Sequence, residues 1–223
     1  MRRTITPELL DTDSGTAEEI ASSLADLERI ARWFGGASTL VGLIKRVAEE
    51  KGARSVSVLD VGAGNGDVMR LARERLRPRG IDLAATLLDR SAVHVSQKNS
   101  AAALAGDALA LPFREKSFDL VACSTFAHHL EPNEIILFVN RALTIAREAV
   151  LINDLRRSAA HLALVYLGFP LFRGRLTRHD GPASVRRAYT PKEMEGILQQ
   201  TQAGRIEISN HYLYRMGAIA WVK

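Results

Sequence analysis

The spacing of apolar positions divides the chain into four zones. Between residues 16 and 50, Ile20, Leu24, Leu27, Ile30 and Ala31 recur at intervals of three and four, Gly35-Gly36 interrupts them, and Leu40, Leu43, Ile44 and Val47 resume the interval. That period predicts helices with one buried stripe, a helical N-terminal cap over residues 1–53. From 54 to 153 the rhythm changes to short apolar runs alternating with helical patterns. Such runs are strands buried on both faces, and their alternation with helices predicts βα units around a parallel sheet. Strands are expected at Ser55–Leu59, Leu83–Leu88, Phe118–Ser124 and Ala149–Ile152, with a weaker one ending near Ala105.

The third zone, 155–190, carries an apolar stretch from Ala159 to Phe172 bounded by arginines. It is too short to cross a bilayer and reads as a lid helix packed on the sheet, or as the wall of an apolar acceptor channel with a basic rim. The fourth zone, 191–223, follows Thr190-Pro191-Lys192-Glu193, a capping box with proline at the first helical position, and predicts a helix to about Gln202. Arg205–Ser209 and Ala218–Val222 then suit an antiparallel hairpin at the sheet edge. The fold class is α/β, a doubly wound, mostly parallel sheet, with 1–223 expected to form one domain.

A chain of 223 residues that is 47% hydrophobic can bury one substantial core. No run has the length of a signal peptide's apolar region or of a membrane span, so a cytoplasmic protein is expected, with at most peripheral membrane contact. The single cysteine, Cys123, lies in an apolar run and reads as packing. A net charge of +5 and a pI near 9.6 would suit nucleic acid. The excess is concentrated, however, at Arg156, Arg157, Arg173, Arg175, Arg178, Arg186 and Arg187, with no interleaved aromatics.

Chemistry begins at Val58-Leu59-Asp60-Val61-Gly62-Ala63-Gly64-Asn65-Gly66-Asp67. A strand runs into glycines that allow a tight turn and close backbone approach, and a helix follows with its positive dipole end toward the crevice. Asp67 stands where a dinucleotide fingerprint needs a small residue, and Asp60 would repel a phosphate but attract a cationic amino-acid group. The ligand reads as a nucleoside carrying positive charge. Asp89 closes Thr86-Leu87-Leu88-Asp89-Arg90-Ser91, where a carboxylate accepts hydrogen bonds from a ribose diol. Downstream lie Ala105-Gly106-Asp107-Ala108, Leu111-Pro112-Phe113 and Ser117-Phe118-Asp119-Leu120-Val121.

Together these residues, over about 54–153, resemble the class I S-adenosylmethionine-dependent methyltransferases, especially the branch with the ubiquinone- and menaquinone-biosynthesis C-methyltransferases and many small-molecule O-methyltransferases. The resemblance implies a seven-stranded sheet, S-adenosyl-L-methionine as cofactor and S-adenosyl-L-homocysteine as product. Gly62, Ala63, Gly64 and Gly66 would approach its methionine and ribose, Asp89 with Arg90 the ribose, and Gly106, Asp107 and Ala108 the adenine. Asp60, Ser124 and Arg32 complete the expected cofactor set, Arg32 toward the methionine carboxylate.

The sulfonium methyl is already activated, so the protein must align a nucleophile, exclude water and remove a proton if the acceptor is a hydroxyl. His128 and His129, after the fourth strand, are the candidate bases, with Asp154 to orient an acceptor or a histidine; His161 and His179 are weaker choices. The fourth strand ends Ala122-Cys123-Ser124-Thr125, without the acidic ligand of metal-dependent catechol methylation, so no metal site is expected. Asn153-Asp154-Leu155-Arg156-Arg157 and Arg186-Arg187-Ala188-Tyr189-Thr190 also resemble methyltransferases of polyketide and phenolic-lipid pathways. A phenolic or polyketide hydroxyl, with or without an alkyl tail, is therefore the first acceptor reading, and the protein is expected to be a monomer or homodimer. A quinone-precursor C-methyltransferase, a nucleic-acid methyltransferase and a non-catalytic cofactor-binding regulator stand as alternatives, with no nucleic-acid partner preferred.

Overall fold

The structure, a computed structural model, describes residues 1–12, 14–91 and 102–223. Helix α1 (Ala17–Trp33) starts at a capping box in which Thr16 and Glu19 satisfy each other's backbone N–H groups. After Gly35, α2 (Gly36–Lys51) runs to Gly52, whose left-handed conformation closes the helix. Then follow β1 (Ser55–Val61), α3 (Asp67–Leu76), β2 (Asp82–Asp89), β3 (Ala102–Ala105), β4 (Phe118–Ser124), α4 (Pro132–Ile145) and β5 (Ala146–Leu155). Helices α5 (Ala159–Leu167), α6 (Arg175–Arg187) and α7 (Pro191–Leu198) precede β6 (Arg205–His211) and β7 (Arg215–Trp221).

One seven-stranded sheet has the order β3-β2-β1-β4-β5-β7-β6. The first five strands in sequence are parallel, and β7 lies antiparallel between β5 and β6. Alternation along β1 divides its side chains between two cores: Val56 and Val58 meet Leu40, Ile44 and Val47 of α2, while Leu59 and Val61 join Phe138, Val139 and Ala142 of α4. This is the doubly wound architecture expected, and Cys123 packs inside it with no exposure.

Several boundaries differ from expectation; β5, for one, runs from Ala146 to Leu155 rather than from Ala149 to Ile152. Helix α7 stops at Leu198 rather than near Gln202, because the Gln202 N–H is taken by Asn140 Oδ1 and Thr201 Oγ1 turns back to the Leu198 carbonyl. Strand β7 begins at Arg215, three residues before Ala218, because its first residues pair along β5 as far as Leu155. The arginines around the third zone do not all form a rim either. Arg157 is buried, donating to the carbonyls of Met1 and Ala188 and to Glu193.

The third zone folds as α5, a short 3-10 turn at Phe169–Leu171, and α6. Helix α5 is apolar around most of its circumference, yet His161 is its one buried residue, and Tyr166, Leu167 and Leu171 are 44%, 78% and 60% exposed. Among the described residues no helix is long and apolar enough to cross a membrane. The first twelve residues lie against α6: Thr4 N–H donates to the Arg186 carbonyl, and Leu9 and Leu10 N–H donate to the two carboxylate oxygens of Asp180.

Phe138 is wholly buried where α4 meets the sheet. Phe138→Ala should therefore lower the unfolding free energy by about 3–5 kcal/mol, read by denaturant titration, and a loss near zero would contradict this packing.

Candidate active site

Strand order reverses between β1 and β4, so the loops leaving their carboxyl ends diverge and open a crevice. Gly62, Gly64 and Gly66 all have positive φ there. At Gly62 (φ +68°) a Cβ would sit 2.5 Å from the Phe126 ring, so both conformation and space demand glycine. Asp89, at the end of β2, accepts the Gly64 N–H at 2.7 Å and the Ser91 N–H at 2.9 Å. It therefore braces the glycine turn as well as facing the crevice. Asp107, the cap of a 3-10 turn, accepts the Leu109 N–H at 2.9 Å.

A cavity of about 920 Å³ opens here, lined by Gly62, Ala63, Gly64, Asp89, Arg90, Gly106, Asp107, Ala108 and Ser124 of the predicted cofactor set. Gly66 and Asp60 lie behind this wall. Asp60 is buried with no hydrogen bond to its Oδ1, and burial, then the Asp89 charge, pushes its pKa up to about 7. Arg32 is not part of the wall; it pairs with Glu28 on the face of α1 at 3.1 Å. Thr125, which also lines the cavity, holds an unusual positive φ of 53° for a β-branched residue. Arg215 donating to its Oγ1 (2.9 Å) and the Thr125 N–H donating to the Asn153 carbonyl (2.7 Å) hold this strained conformation.

The far half of the cavity brings both candidate histidines together, their ring centroids 4.2 Å apart. Asp154, at the end of β5, anchors His128 twice: Oδ2 accepts its backbone N–H at 2.9 Å, and Oδ1 lies 2.7 Å from Nδ1. Burial would lower the His128 pKa, but the Asp154 carboxylate and then Glu8 raise it to about 9. The two carboxylates thus favour the protonated form of His128. His129 Nδ1 meets Asp11 Oδ2 at 3.0 Å. His161 lines the same cavity, its pKa lowered to about 4 mainly by burial, and His179 is outside the wall, paired with Asp180.

Sequence reasoning missed Glu8 and Asp11, which the N-terminal segment carries into this half. Glu8 is 8% exposed, accepts from Ser184 Oγ at 2.8 Å, and lies 3.5 Å from His128 Nε2 and 3.9 Å from His129 Nε2. For both carboxyls burial would raise the pKa, but the histidines lower it. Nothing local marks these residues; Pro7-Glu8-Leu9-Leu10-Asp11 has no special spacing, and its partners are more than a hundred positions away.

Residues 58–148 match a family described as a methyltransferase domain, a stretch holding the glycine turn, Asp89 and Asp107. No curated protein matches the chain. The plantazolicin methyltransferase BamL, solved with a triazolic desmethylPZN analogue and SAH, is 14% identical over 92% of this chain and 91% of its own, with a TM-score of 0.68. The magnesium protoporphyrin IX methyltransferase of Synechocystis, solved with SAH, is 16% identical over 84% of each chain, TM-score 0.54. An O-methyltransferase family 2 protein of Planctomyces limnophilus, in complex with apigenin, is 14% identical over 94% of this chain and 63% of its own, TM-score 0.61. At these identities the likeness is one of fold. The family match adds that residues 58–148, the stretch carrying the crevice, are similar to a methyltransferase domain.

Asp60 supplies a pH test of the crevice without its ligand. Its folded pKa, about 7, lies above the unfolded value of about 3.9, so the folded state holds the proton more tightly and its stability falls as pH rises through that window. Asp60→Asn should remove this slope. The ligand-free variant should melt higher than the parent above pH 7, the difference shrinking toward pH 4, whereas parallel melting curves across that range would refute the buried, unpaired carboxyl.

Proposed function

We propose that this protein transfers the methyl group of S-adenosyl-L-methionine to the hydroxyl of a small phenolic or polyketide-type acceptor that carries an apolar tail. The observation that carries the reading is the carboxylate-held histidine pair in the half of the cavity away from the glycine turn, walled by Leu164, Val165 and Phe172. In this reading the glycine turn holds the cofactor's methionine and ribose, Asp89 and Arg90 the ribose, and Gly106, Asp107 and Ala108 the adenine. Ser124 borders the sulfonium, and Asp60, from behind the turn, favours the cofactor's positive charge. Arg32 keeps its ion pair with Glu28 and is left out.

His129 acts as the base. Its Nδ1–H is donated to Asp11, which leaves Nε2 with the lone pair to accept the acceptor's proton. His128, held protonated by Asp154, stabilises the developing oxyanion, and Asp154 serves as a positioning residue. Transfer then needs only the in-line approach of oxygen to the S–CH3 carbon, with residues 1–53 and 155–190 as cap and lid excluding water. Methylation of carbon on a quinone precursor would need the same cofactor half but less from the histidines. We place the protein in the cytoplasm as a monomer or homodimer with no nucleic-acid partner.

Cofactor binding is tested by titrating S-adenosyl-L-homocysteine calorimetrically. Asp89→Ala should weaken binding at least about tenfold, since it loses the ribose contact and the brace on Gly64 together; unchanged affinity in a folded variant would remove Asp89 from the site. For the acceptor, a series of phenols with lengthening alkyl chains should bind more tightly by up to about 0.8 kcal/mol per methylene until the channel is full. His129→Ala should lose more turnover at neutral pH than at high pH, where the phenolate forms unaided. A flat chain-length series with binding that falls steeply in salt would instead indicate nucleic acid.

A further inference from the structure

The histidines that the proposed methyl transfer uses as acid and base also belong to a second constellation with Glu8, and an ion bound there would engage the same Nε2 atoms and take over their part in stabilising the acceptor oxygen. Glu8 Oε1 lies 3.5 Å from His128 Nε2 and 3.9 Å from His129 Nε2, and one donor atom from each of the three residues falls within 4.8 Å of the others. Around a tetrahedral ion with bonds near 2.0–2.1 Å, neighbouring ligand atoms stand about 3.4 Å apart, so the two Glu8–histidine separations need only a few tenths of an ångström of closure. From these contacts we infer that Glu8, His128 and His129 form a binding site for a first-row divalent transition metal ion of the zinc type.

Two further features point the same way. Each imidazole has its other ring nitrogen on a carboxylate, His128 Nδ1 on Asp154 at 2.7 Å and His129 Nδ1 on Asp11 at 3.0 Å. That carboxylate–histidine arrangement orients metal-ligating imidazoles and raises their basicity. His128 is 1% exposed, yet its Nε2 has no hydrogen bond and is turned toward Glu8. A buried polar atom left so costs free energy unless something occupies the space before it.

The donor set narrows the ion. Two imidazole nitrogens and one carboxylate suit zinc, iron or cobalt, whereas magnesium and calcium take oxygen ligands. Three protein ligands leave a coordination position open toward the cavity, as in catalytic rather than structural metal sites. Glu8, Asp11 and Asp154 supply negative charge against an entering dication, while Arg187 and Arg3, which donate to the His129 and His128 carbonyls, and Arg215, beside Asp154, are the opposing cations. The expectation of no metal rested on the end of β4; the present donors come from the N-terminal segment and the turn after that strand.

The test is binding itself, which is independent of which atom is methylated. The full-length chain, stripped with chelator, is titrated with Co2+ and followed by its visible ligand-field absorption, with Zn2+ as competitor. We expect an intense band of low coordination number saturating at a single ion per chain and abolished by Zn2+. Glu8→Gln and His129→Asn should each remove it, and Asp11→Asn should weaken binding by about 10–100-fold. Unchanged S-adenosyl-L-homocysteine affinity in each variant shows that it is folded. Absence of the band in the parent protein, or a band that Glu8→Gln and His129→Asn leave intact, overturns the site while leaving the methyltransferase reading untouched.

Discussion

Everything at the working end of this molecule depends on a backbone constraint, the reversal of strand order between β1 and β4 in a parallel sheet. Parallel strands expose all their carboxyl ends on one edge, and where successive connections leave in opposite directions no loop fills the gap. The glycine turn after β1, Asp89 after β2, Asp107 after β3, the histidines after β4 and Asp154 at the end of β5 meet for this reason. The core on each face holds the edge rigid. Wholly buried Leu59 and Phe138 on one side and Ile44 and Leu83 on the other keep the strands in the register that sets those ends.

The cavity has two chemically different halves. Near the glycine turn the surface is backbone-rich and carries Asp89 and Asp107, suited to a polar nucleoside with cationic charge. Beyond Thr125 apolar residues such as Leu164, Val165 and Phe172 join the wall beside a knot of carboxylates and histidines. Within that knot the charges lean on one another: the histidines lower the Glu8 and Asp11 pKa values, and Asp154 and Glu8 raise that of His128.

Local signals in the chain were read well where a single turn of backbone carries them. The capping box at Thr190 forms as its spacing demands, because both partners lie within four residues. The end of α7 was misplaced because its stop is set by Asn140, on another helix. Asp89 was legible as a crevice carboxylate, but its bond to the Gly64 N–H was not, since it joins the ends of two strands. Arg32 and Arg157 show the reverse: charges assigned to a ligand or a rim find partners inside the protein.

By itself, the sequence determined the elements, the doubly wound class and the glycine turn with its acidic companions, because apolar period, capping and glycine conformation act over a few neighbouring residues. Only the tertiary structure decided what faces the histidines. Asp11 and His129 are 118 residues apart, and the segment bearing Glu8 is docked by Asp180 and Ser184 of α6, which no periodicity announces. Convergence of that kind is a product of packing, where the energy of a contact depends on which surfaces the whole chain brings together.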